Sequence, residues 1–331
     1  MTWRPLVSIG MPLYNAEQHV GEALDSLLAQ DYANFELIVS DNASSDATES
    51  ICRAYAARDS RISYHRSESN QGAVWNFNRV RELARGECFM WAAHDDLRAP
   101  QFISSCVAAL DARPEAVLCC TGVGFIDASG KEIEPWVELV RPVGKTTRSR
   151  VRAIARARYW LDVYGLIRSS ALAQTRPAQP VWGFDVVTEM ELCLRGAVAF
   201  VPERLFVYRG DPHKTPQYVA AALGTAVGPG PVPVNWTAMA LELARAIQLA
   251  PLSSPRKTAL ICLLLIQLCV FNGLVGSGIR ANVLPSASAA WAERRRARFA
   301  VLMVMAALVF PVRNRLVRSA FRLVRPQKRT S

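Results

Sequence analysis

The stretch "VSIGMPLYNAEQHVGEALDSLLAQDYANFELIVSDNASSDAT" (residues 7–48) predicts a strand, a helix and a second strand. Residues 6–11 form a short apolar run that ends at Pro12, and residues 35–40 form another. Between them, residues 17–30 place four apolar side chains at helical spacing: Val20, Leu24, Leu27 and Leu28. A strand, a helix and a strand of these lengths indicate a βαβ unit with parallel strands.

The same alternation continues along the chain. Residues 62–65 resemble a weaker strand, residues 74–84 a helix ending near Gly86, residues 89–93 a buried strand, and residues 101–112 a helix. Parallel sheets bind ligands at the carboxyl ends of their strands. Polar clusters follow three of these strand ends and are therefore expected to converge: Pro12-Tyr14-Asn15, Asp41-Asn42 and His94-Asp95-Asp96.

The adjacent carboxylates of Asp95 and Asp96 have two interpretations. Taken alone, they would be a solvated turn that caps the following helix. Convergence with the other two clusters favours a site for Mg²⁺ or Mn²⁺, because paired carboxylates bind these ions together with substrate phosphates. Neither a GxGxxG motif after the first strand nor a GxxxxGK[ST] motif occurs, which argues against a dinucleotide site and a P-loop.

The order of these motifs resembles the family 2 glycosyltransferases of the GT-A fold. The resemblance runs through residues 7–48 and "NQGAVWNFNRVRELARGECFMWAAHDD" (residues 70–96), and continues more weakly to about residue 213. It implies an α/β fold with a mostly parallel sheet flanked by helices. It also implies an inverting hexosyltransferase that moves a sugar from a nucleotide-sugar to an acceptor hydroxyl with Mn²⁺ or Mg²⁺.

The resemblance also implies roles for individual residues. Asp41 matches the acid that reads the base of a UDP- or dTDP-linked donor, and Asp96 matches the direct metal ligand. Asp95 is expected to reach the ribose or the metal. Six further positions match segments around the donor: Pro12, Tyr14, Asn15, Asn70, Gly72 and Asn78. His94 fills a variable position of the metal motif, where contact with the donor and simple exposure are both open.

Two positions depart from the family pattern. Ala93 stands where many members have an acid, which shortens the metal motif, and Phe77 stands where many have Arg. Both substitutions remove a group that would hold the metal or the diphosphate.

The catalytic base is expected in "WGFD" (residues 182–185), because the family has an Asp at the start of a helix there. Asp185 is this base, with Glu189 one turn later as the fallback. A helix N-terminus also favours the ionised carboxylate. Trp182 is expected to stack on a sugar ring. His213 and Lys214 follow the last strand pattern (residues 199–210, a strand pair or strand–turn) and are expected near the diphosphate.

The net charge of +11 belongs to the C-terminal part of the chain. Residues 280–331 hold twelve Arg or Lys and one acid, whereas residues 1–279 hold 27 basic and 27 acidic residues. This distribution favours an anionic membrane surface as partner and argues against nucleic acid. The eight cysteines form no CxxC pair and have no His at zinc-ligand spacing, so buried thiols in a reducing cytoplasm are expected.

Thr258–Ile279 is an uncharged stretch of 22 residues, long enough to span a bilayer. Crossing would leave basic segments outside, against the positive-inside tendency, so in-plane or re-entrant association with the cytoplasmic face of the plasma membrane is predicted. After Pro311, arginines and apolar residues lie on opposite helical faces, as in an interfacial helix: Arg315, Arg318, Arg322 and Arg325 face away from Val317, Ala320, Phe321 and Val324. A soluble helical extension, packed on the catalytic domain or on a partner subunit, is the alternative.

The expected organisation has three parts. Residues 1–220 form the GT-A domain, with a nucleotide-sugar half over about 1–127 and an acceptor half over about 128–220. Residues 221–257 are a linker and helix, and residues 258–331 are an apolar and basic region for membrane association or oligomer contact. The acceptor is expected to be lipid-linked or a cell-surface glycan. An inactive membrane-bound scaffold and a nucleotidyltransferase are the alternative functions.

Overall fold

The computed structural model describes residues 3–134, 139–157, 159–210 and 236–270. The strands are β1 (Val7–Leu13), β2 (Phe35–Asp41), β3 (Ile62–Arg66), β4 (Cys88–Trp91), β5 (Leu97–Arg98), β6 (Ala116–Ile126), β7 (Leu166–Arg168) and β8 (Ala197–Arg209). The helices are α1 (Val20–Leu28), α2 (Thr48–Ala56), α3 (Ala73–Leu83), α4 (Phe102–Asp111), α5 (Thr147–Arg156), α6 (Ser169–Leu172), α7 (Phe184–Arg195), α8 (Trp236–Leu249) and α9 (Ser254–Val270). A 3₁₀ turn covers Asp162–Tyr164.

The strands form one sheet in the order β3-β2-β1-β4-β7-β6-β8-β5. Strands β1 to β4 are parallel, and β6 is parallel to β8, whereas β7 is antiparallel to both β4 and β6. The expected α/β architecture is therefore confirmed. Because β1, β2 and β4 run in the same direction, their carboxyl ends meet at one edge, where the three polar clusters lie.

The first half of the sheet is buried because helices cover it. All seven residues of β2 are buried, and α1 turns a stripe of apolar residues into the core. These are Val20, Ala23, Leu24 and Leu27, which confirms the predicted helical face except for Leu28, whose side chain is only half-buried. Burial of such a stripe contributes most of the stability of a helix this short.

A polar network holds the opposite edge of the sheet, near the strand starts. The Ser8 hydroxyl donates to Glu36 at 2.6 Å, and the Arg85 guanidinium donates to the same carboxylate at 2.6 Å. The backbone N–H of Gly86 donates to Ser8 Oγ at 2.7 Å. Burial acts to raise the pKa of Glu36, but the hydrogen bonds from Ser8 and Arg85 outweigh it and lower this pKa.

Two of the predicted elements have different limits. Strand β1 continues through Pro12 to Leu13, which is possible because β4 pairs with β1 only as far as Gly10. Residues 197–209 form one strand instead of a strand pair. Its pairing with β6 shifts register around Gly122, so the strand passes Pro202 by an irregularity and then continues.

Helices α8 and α9 follow the undescribed segment. Helix α9 covers the first part of the predicted membrane segment and buries Leu260, Ile261 and Leu264; it contacts α5 and α8. Within the described ranges, no helix is both long and apolar enough to cross a membrane. Residues 271–331, with the predicted interfacial helix, lie outside the described residues, so membrane association stays a prediction.

We expect Gly86→Ala to destabilise the fold. A Cβ at residue 86 would lie 2.6 Å from the carbonyl oxygen of Leu6 and 2.6 Å from the backbone nitrogen of Ser8, and backbone atoms cannot move aside cheaply. The expected loss is about 2–3 kcal/mol of unfolding free energy, measured as a lower urea midpoint. In the control Gly21→Ala, the new Cβ meets only Tyr55 Oη at 3.7 Å, so its midpoint should stay equal or rise. Equal midpoints for both variants would contradict this packing.

Candidate active site

Asp41 is the fixed anion at the end of β2. Its side chain is fully buried; Oδ1 accepts the backbone N–H of Ser44 at 2.8 Å, and Oδ2 accepts Tyr64 Oη at 2.7 Å and Arg66 Nη1 at 2.6 Å. Burial raises the pKa of the Tyr64 phenol, and the Asp41 carboxylate raises it further. The carboxylate is thus held rigidly at the edge where β1 and β2 end, with Leu13 paired to Asp41.

The loops after β1 and β2 are bound to each other. The N–H of Asn15 donates to Ser44 Oγ at 2.9 Å, and Asn15 Oδ1 accepts the N–H of Ser45 at 2.9 Å. Asn15 has a positive φ of 50°, a conformation that Asn tolerates better than most residues. Tyr14 beside it is 37% exposed, and Pro12 is half-buried. Both of these predicted donor residues are therefore at least partly accessible to solvent at the end of β1.

Asn42 organises the loop of residues 67–72, which contains the predicted donor residues Asn70 and Gly72. The Asn42 amide donates to Asn70 Oδ1 at 2.8 Å and to the Gly72 carbonyl at 3.2 Å, and its oxygen accepts the N–H of Gln71 at 2.8 Å. Gly72 has φ 87° and ψ 160°, a conformation open essentially to glycine alone. This loop is thereby fixed next to the end of β2.

The two asparagines of α3 have different positions. The buried Asn76 donates to the carbonyls of Leu13 and Ser40 at 3.1 and 2.9 Å, so it closes the ends of β1 and β2. The side chain of the predicted donor residue Asn78 donates to the carbonyl of Ala178 at 3.0 Å and accepts its N–H at 2.8 Å. Asn78 therefore binds the segment around residue 178. Asn76 lies at the strand ends instead, and the sequence analysis did not identify it.

Asp95 and Asp96 lie in the turn between β4 and β5. Asp96 is 4% exposed, and its Oδ1 accepts the backbone N–H of Arg209 at 2.9 Å. Asp95 and His94 are half-buried, and the carbonyl of Asp95 accepts Arg209 Nε at 2.9 Å. Ala93 is also half-buried, and the N–H of Ala92 donates to the Gly10 carbonyl at 2.9 Å, which ties the start of this turn to β1.

His19 was not expected at the site. Burial lowers the pKa of its imidazole, and the positive charge of Arg209 lowers it further, whereas Glu22 and Asp95 raise it. His19 Nδ1 is buried and has no hydrogen-bond partner among the described residues. The residue immediately precedes α1, which begins at Val20. A lone His ahead of an amphipathic helix carries no sequence signal, and only the structure brings it near Asp95.

Asp185 and Glu189 lie on one face of α7 but in different surroundings. Asp185 is half-buried in the first turn, and burial raises the pKa of its carboxyl. Glu189 is 1% exposed; burial, Asp162 and Asp185 raise the pKa of its carboxyl well above the ordinary value. Asp185 thus remains the group that a hydroxyl can approach, while Glu189 is enclosed by the protein.

Aromatic residues surround the start of α7. Phe77 packs edge-to-face on Phe184, with ring centroids 4.9 Å apart, and lies 6.0 Å from Trp91. Trp182 is half-buried and meets Trp160 at 6.4 Å with the rings nearly perpendicular. The predicted residues His213 and Lys214 lie outside the described residues.

Tyr164 links the two groups of carboxylates. Burial raises the pKa of its phenol, and Asp185, Asp96 and Asp95 raise it further, so all three carboxylates act on one side chain. Neither Tyr164 nor Arg209 was expected at the site, although "VYRG" (residues 207–210) places a basic residue at a strand end. Among the described residues, no cluster of three or more His, Cys, Asp or Glu side chains could hold a metal by itself.

Part of the chain matches a known protein family. Residues 8–164 match the family model described as "Glycosyl transferase family 2", which confirms the family resemblance over that region. An uncharacterized glycosyltransferase of Rickettsia typhi is 39% identical over 102 residues, which are 31% of this chain and 31% of that protein. TuaG of Bacillus subtilis, named for teichuronic acid biosynthesis, is 35% identical over 94 residues, 28% of this chain and 37% of its own length. The matches thus span only about a third of these relatives.

Solved structures share the fold at low identity. Residues 1–349 of Staphylococcus aureus TarS align with a TM-score of 0.63 and 20% identity, covering 96% of this chain and 87% of that one. The same protein in complex with UDP-GlcNAc aligns with a TM-score of 0.65 and 18% identity, covering 92% and 81% of the two chains. The GT-A fold expected from the sequence is therefore confirmed.

We expect Asn42→Ala to loosen the loop of residues 67–72. The change removes both donor bonds of the amide and leaves the buried carbonyl of Gly72 without this partner, at an expected loss of about 1–3 kcal/mol in unfolding free energy. Proteolysis under native conditions should cut this loop faster than in the unchanged protein. In the control Asn34→Ala, an exposed side chain loses one bond of 3.2 Å to the Arg4 carbonyl, and neither measurement should change appreciably. Equal cleavage rates would contradict the role given to Asn42.

Proposed function

We propose that this protein transfers a sugar from a UDP- or dTDP-linked donor to a hydroxyl group of a lipid-linked or cell-surface glycan, with inversion at the anomeric carbon. One observation carries the proposal: the buried Asp41 ends β2, the Asp95-Asp96 turn follows β4, and Asp185 adjoins Phe184, whose ring packs on Phe77 beside Trp91 at the end of β4. These are the groups that such a transfer needs at the base, at the diphosphate and at the acceptor.

The nucleotide would lie over the ends of β1 and β2. Asp41 is fixed by three donors, so a pyrimidine bound at this edge would meet a carboxylate that need not be ordered on binding. The exposed Tyr14 and the loop of residues 67–72 border this place. Loops fixed in this way favour specific binding because few groups must be ordered on association.

The chemistry of the acidic turn fits a divalent metal. Two adjacent carboxylates supply the hard oxygen ligands that Mg²⁺ and Mn²⁺ prefer, with substrate phosphates completing the coordination. Asp96 is buried and accepts the Arg209 N–H, whereas Asp95 is half-buried. We therefore propose that the two carboxylates hold the metal together, Asp96 from its fixed position and Asp95 from the half-buried one. When bound, the metal would neutralise charge developing on the diphosphate.

Asp185 would act as the general base. Its carboxylate takes the proton of the acceptor hydroxyl while that oxygen forms a bond to the anomeric carbon; the bond from this carbon to the diphosphate oxygen breaks, and the nucleoside diphosphate leaves with the electron pair. A raised pKa strengthens the base, because its proton affinity is higher. Trp182 and Trp160 border this side of the site and offer aromatic surface to the acceptor.

The acceptor class rests on the relatives. TuaG is named for teichuronic acid biosynthesis, and WcaA of Escherichia coli, 36% identical over 100 residues, is named for colanic acid biosynthesis. Both names refer to polysaccharides of the bacterial cell envelope, which supports a glycan acceptor.

We expect Asp185→Asn to abolish turnover and Glu189→Gln to retain most of it. The first variant removes the base, at an expected cost of roughly 10²–10⁴-fold in kcat. The second replaces a buried carboxyl group, which an acceptor hydroxyl cannot approach, by an amide of nearly the same shape. Turnover is measured as release of UDP, and binding of UDP by calorimetry should be unchanged in both. The reverse ranking of the two variants would move the base to Glu189.

The acid limb of the pH profile provides a second test. Because burial raises the pKa of Asp185 from 3.8, the base is protonated, and therefore inactive, at a higher pH than an exposed aspartate would be. Turnover should thus fall as the pH decreases through this raised value, well before unfolding measured by fluorescence. Activity that stayed constant down to pH 4 would exclude Asp185 as the titrating base.

A further inference from the structure

Arg209, the last residue of β8, is buried beside the acidic turn. It is 4% exposed, although it carries a permanent positive charge. A charge in this position is costly unless its donors all meet acceptors. Its side chain donates to four acceptors, and its backbone N–H donates to a fifth.

Two of these contacts hold the acidic turn directly. Arg209 Nε donates to the Asp95 carbonyl at 2.9 Å, and the Arg209 N–H donates to Asp96 Oδ1 at 2.9 Å. One residue therefore fixes the backbone of the first aspartate and the carboxylate of the second. Because of these two bonds, the backbone at Asp95 cannot move independently of β8. The position of the Asp95 side chain therefore depends on Arg209.

The other contacts anchor Arg209 itself. Nη1 donates to the carbonyls of Asp127 and Ala128 at 3.3 and 3.4 Å, just after β6. Nη2 donates to Glu22 Oε2 at 2.5 Å, in the first turn of α1. The planar fork thus ties the acidic turn to the ends of β6 and β8 and to α1, which directly follows the first predicted donor loop.

We infer that Arg209 is a positioning residue that holds the Asp95-Asp96 turn in the geometry needed for binding the donor diphosphate, with Glu22 as its external anchor. The inference rests on the proposed function, because it assigns a task within the same site. Lysine cannot replace arginine here, since a single ammonium cannot reach acceptors on three segments at once.

A double-mutant cycle tests this assignment. The full chain is prepared as Arg209→Lys, Asp95→Asn and the combination, and binding of UDP in the presence of Mn²⁺ is measured by calorimetry. Each single variant should weaken binding by roughly tenfold or more, because either the ligand or its placement is lost. The double variant should bind no more weakly than Asp95→Asn alone, because Arg209 acts through this residue.

Two further variants complete the design. Arg204→Gln is the matched control: it lies on the same strand, is 64% exposed and approaches Glu132 only at 3.7 Å, so its affinity should equal that of the unchanged protein. Glu22→Gln keeps the fold and weakens the anchor only, with an expected loss of roughly two- to fivefold that disappears in the Asp95→Asn background. If the thermal midpoint shows that Arg209→Lys does not fold, the Glu22→Gln variant tests the positioning role in its place.

Each outcome supports or overturns the inference. Additive losses in the cycle, or unchanged affinity in a folded Arg209→Lys protein, would show that Arg209 is only a structural residue. Failure of the unchanged protein to bind UDP with Mn²⁺, or normal binding by Asp95→Asn, would refute the proposed donor site and the inference with it. The two kinds of failure are therefore distinguishable in one set of titrations.

Discussion

A buried guanidinium must find acceptors for its donors, and at Arg209 this requirement joins the two halves of the sheet. Its acceptors come from the turn after β4, from the end of β6 and from α1. Each of these segments could take several conformations alone. The Arg209 guanidinium is planar and its N–H groups point in fixed directions. It therefore favours only those conformations of the three segments in which their acceptor oxygens converge on it. The acidic turn therefore has a defined place before any substrate is bound.

The first half of the fold follows from local patterns. Strand β2 is buried throughout, and the apolar stripe of α1 has the helical period, so the positions of both elements could be predicted to within a few residues. The parallel βαβ order was then sufficient to predict that Asp41 and Asp95 lie at the same edge of the sheet, because both follow strand ends. Residues 116–126 carry no such signal: glycines and cysteines interrupt an apolar run that fits a buried helix or a strand. Their pairing with β8 is a long-range property.

Side-chain partners at the site were less predictable than the site itself. Asn78 bonds to Ala178, 100 residues later in the chain, whereas Asn76, two residues earlier, closes the ends of β1 and β2. Spacing along a helix predicts which residues share a face, but it does not predict which carbonyl groups they will bind. The same applies to Asp96, whose partner Arg209 is 113 residues away. The family resemblance named segments of the chain, whereas only the tertiary contacts show which partners each side chain binds.

The two departures from the family pattern have different consequences. Phe77 packs on Phe184, directly before Asp185, and on Trp91 in β4, so an apolar side chain here stabilises the start of α7, where the proposed base Asp185 lies. It gives up a positive charge near the diphosphate in exchange. Arg209 cannot replace that charge, because its donors already bind the protein. Under the proposed function, neutralisation of the leaving group would then fall to a bound metal or to basic residues such as the predicted His213 and Lys214, which lie outside the described residues. The shortened acidic motif at Ala93 would weaken a metal site and so increase the share of the basic side chains.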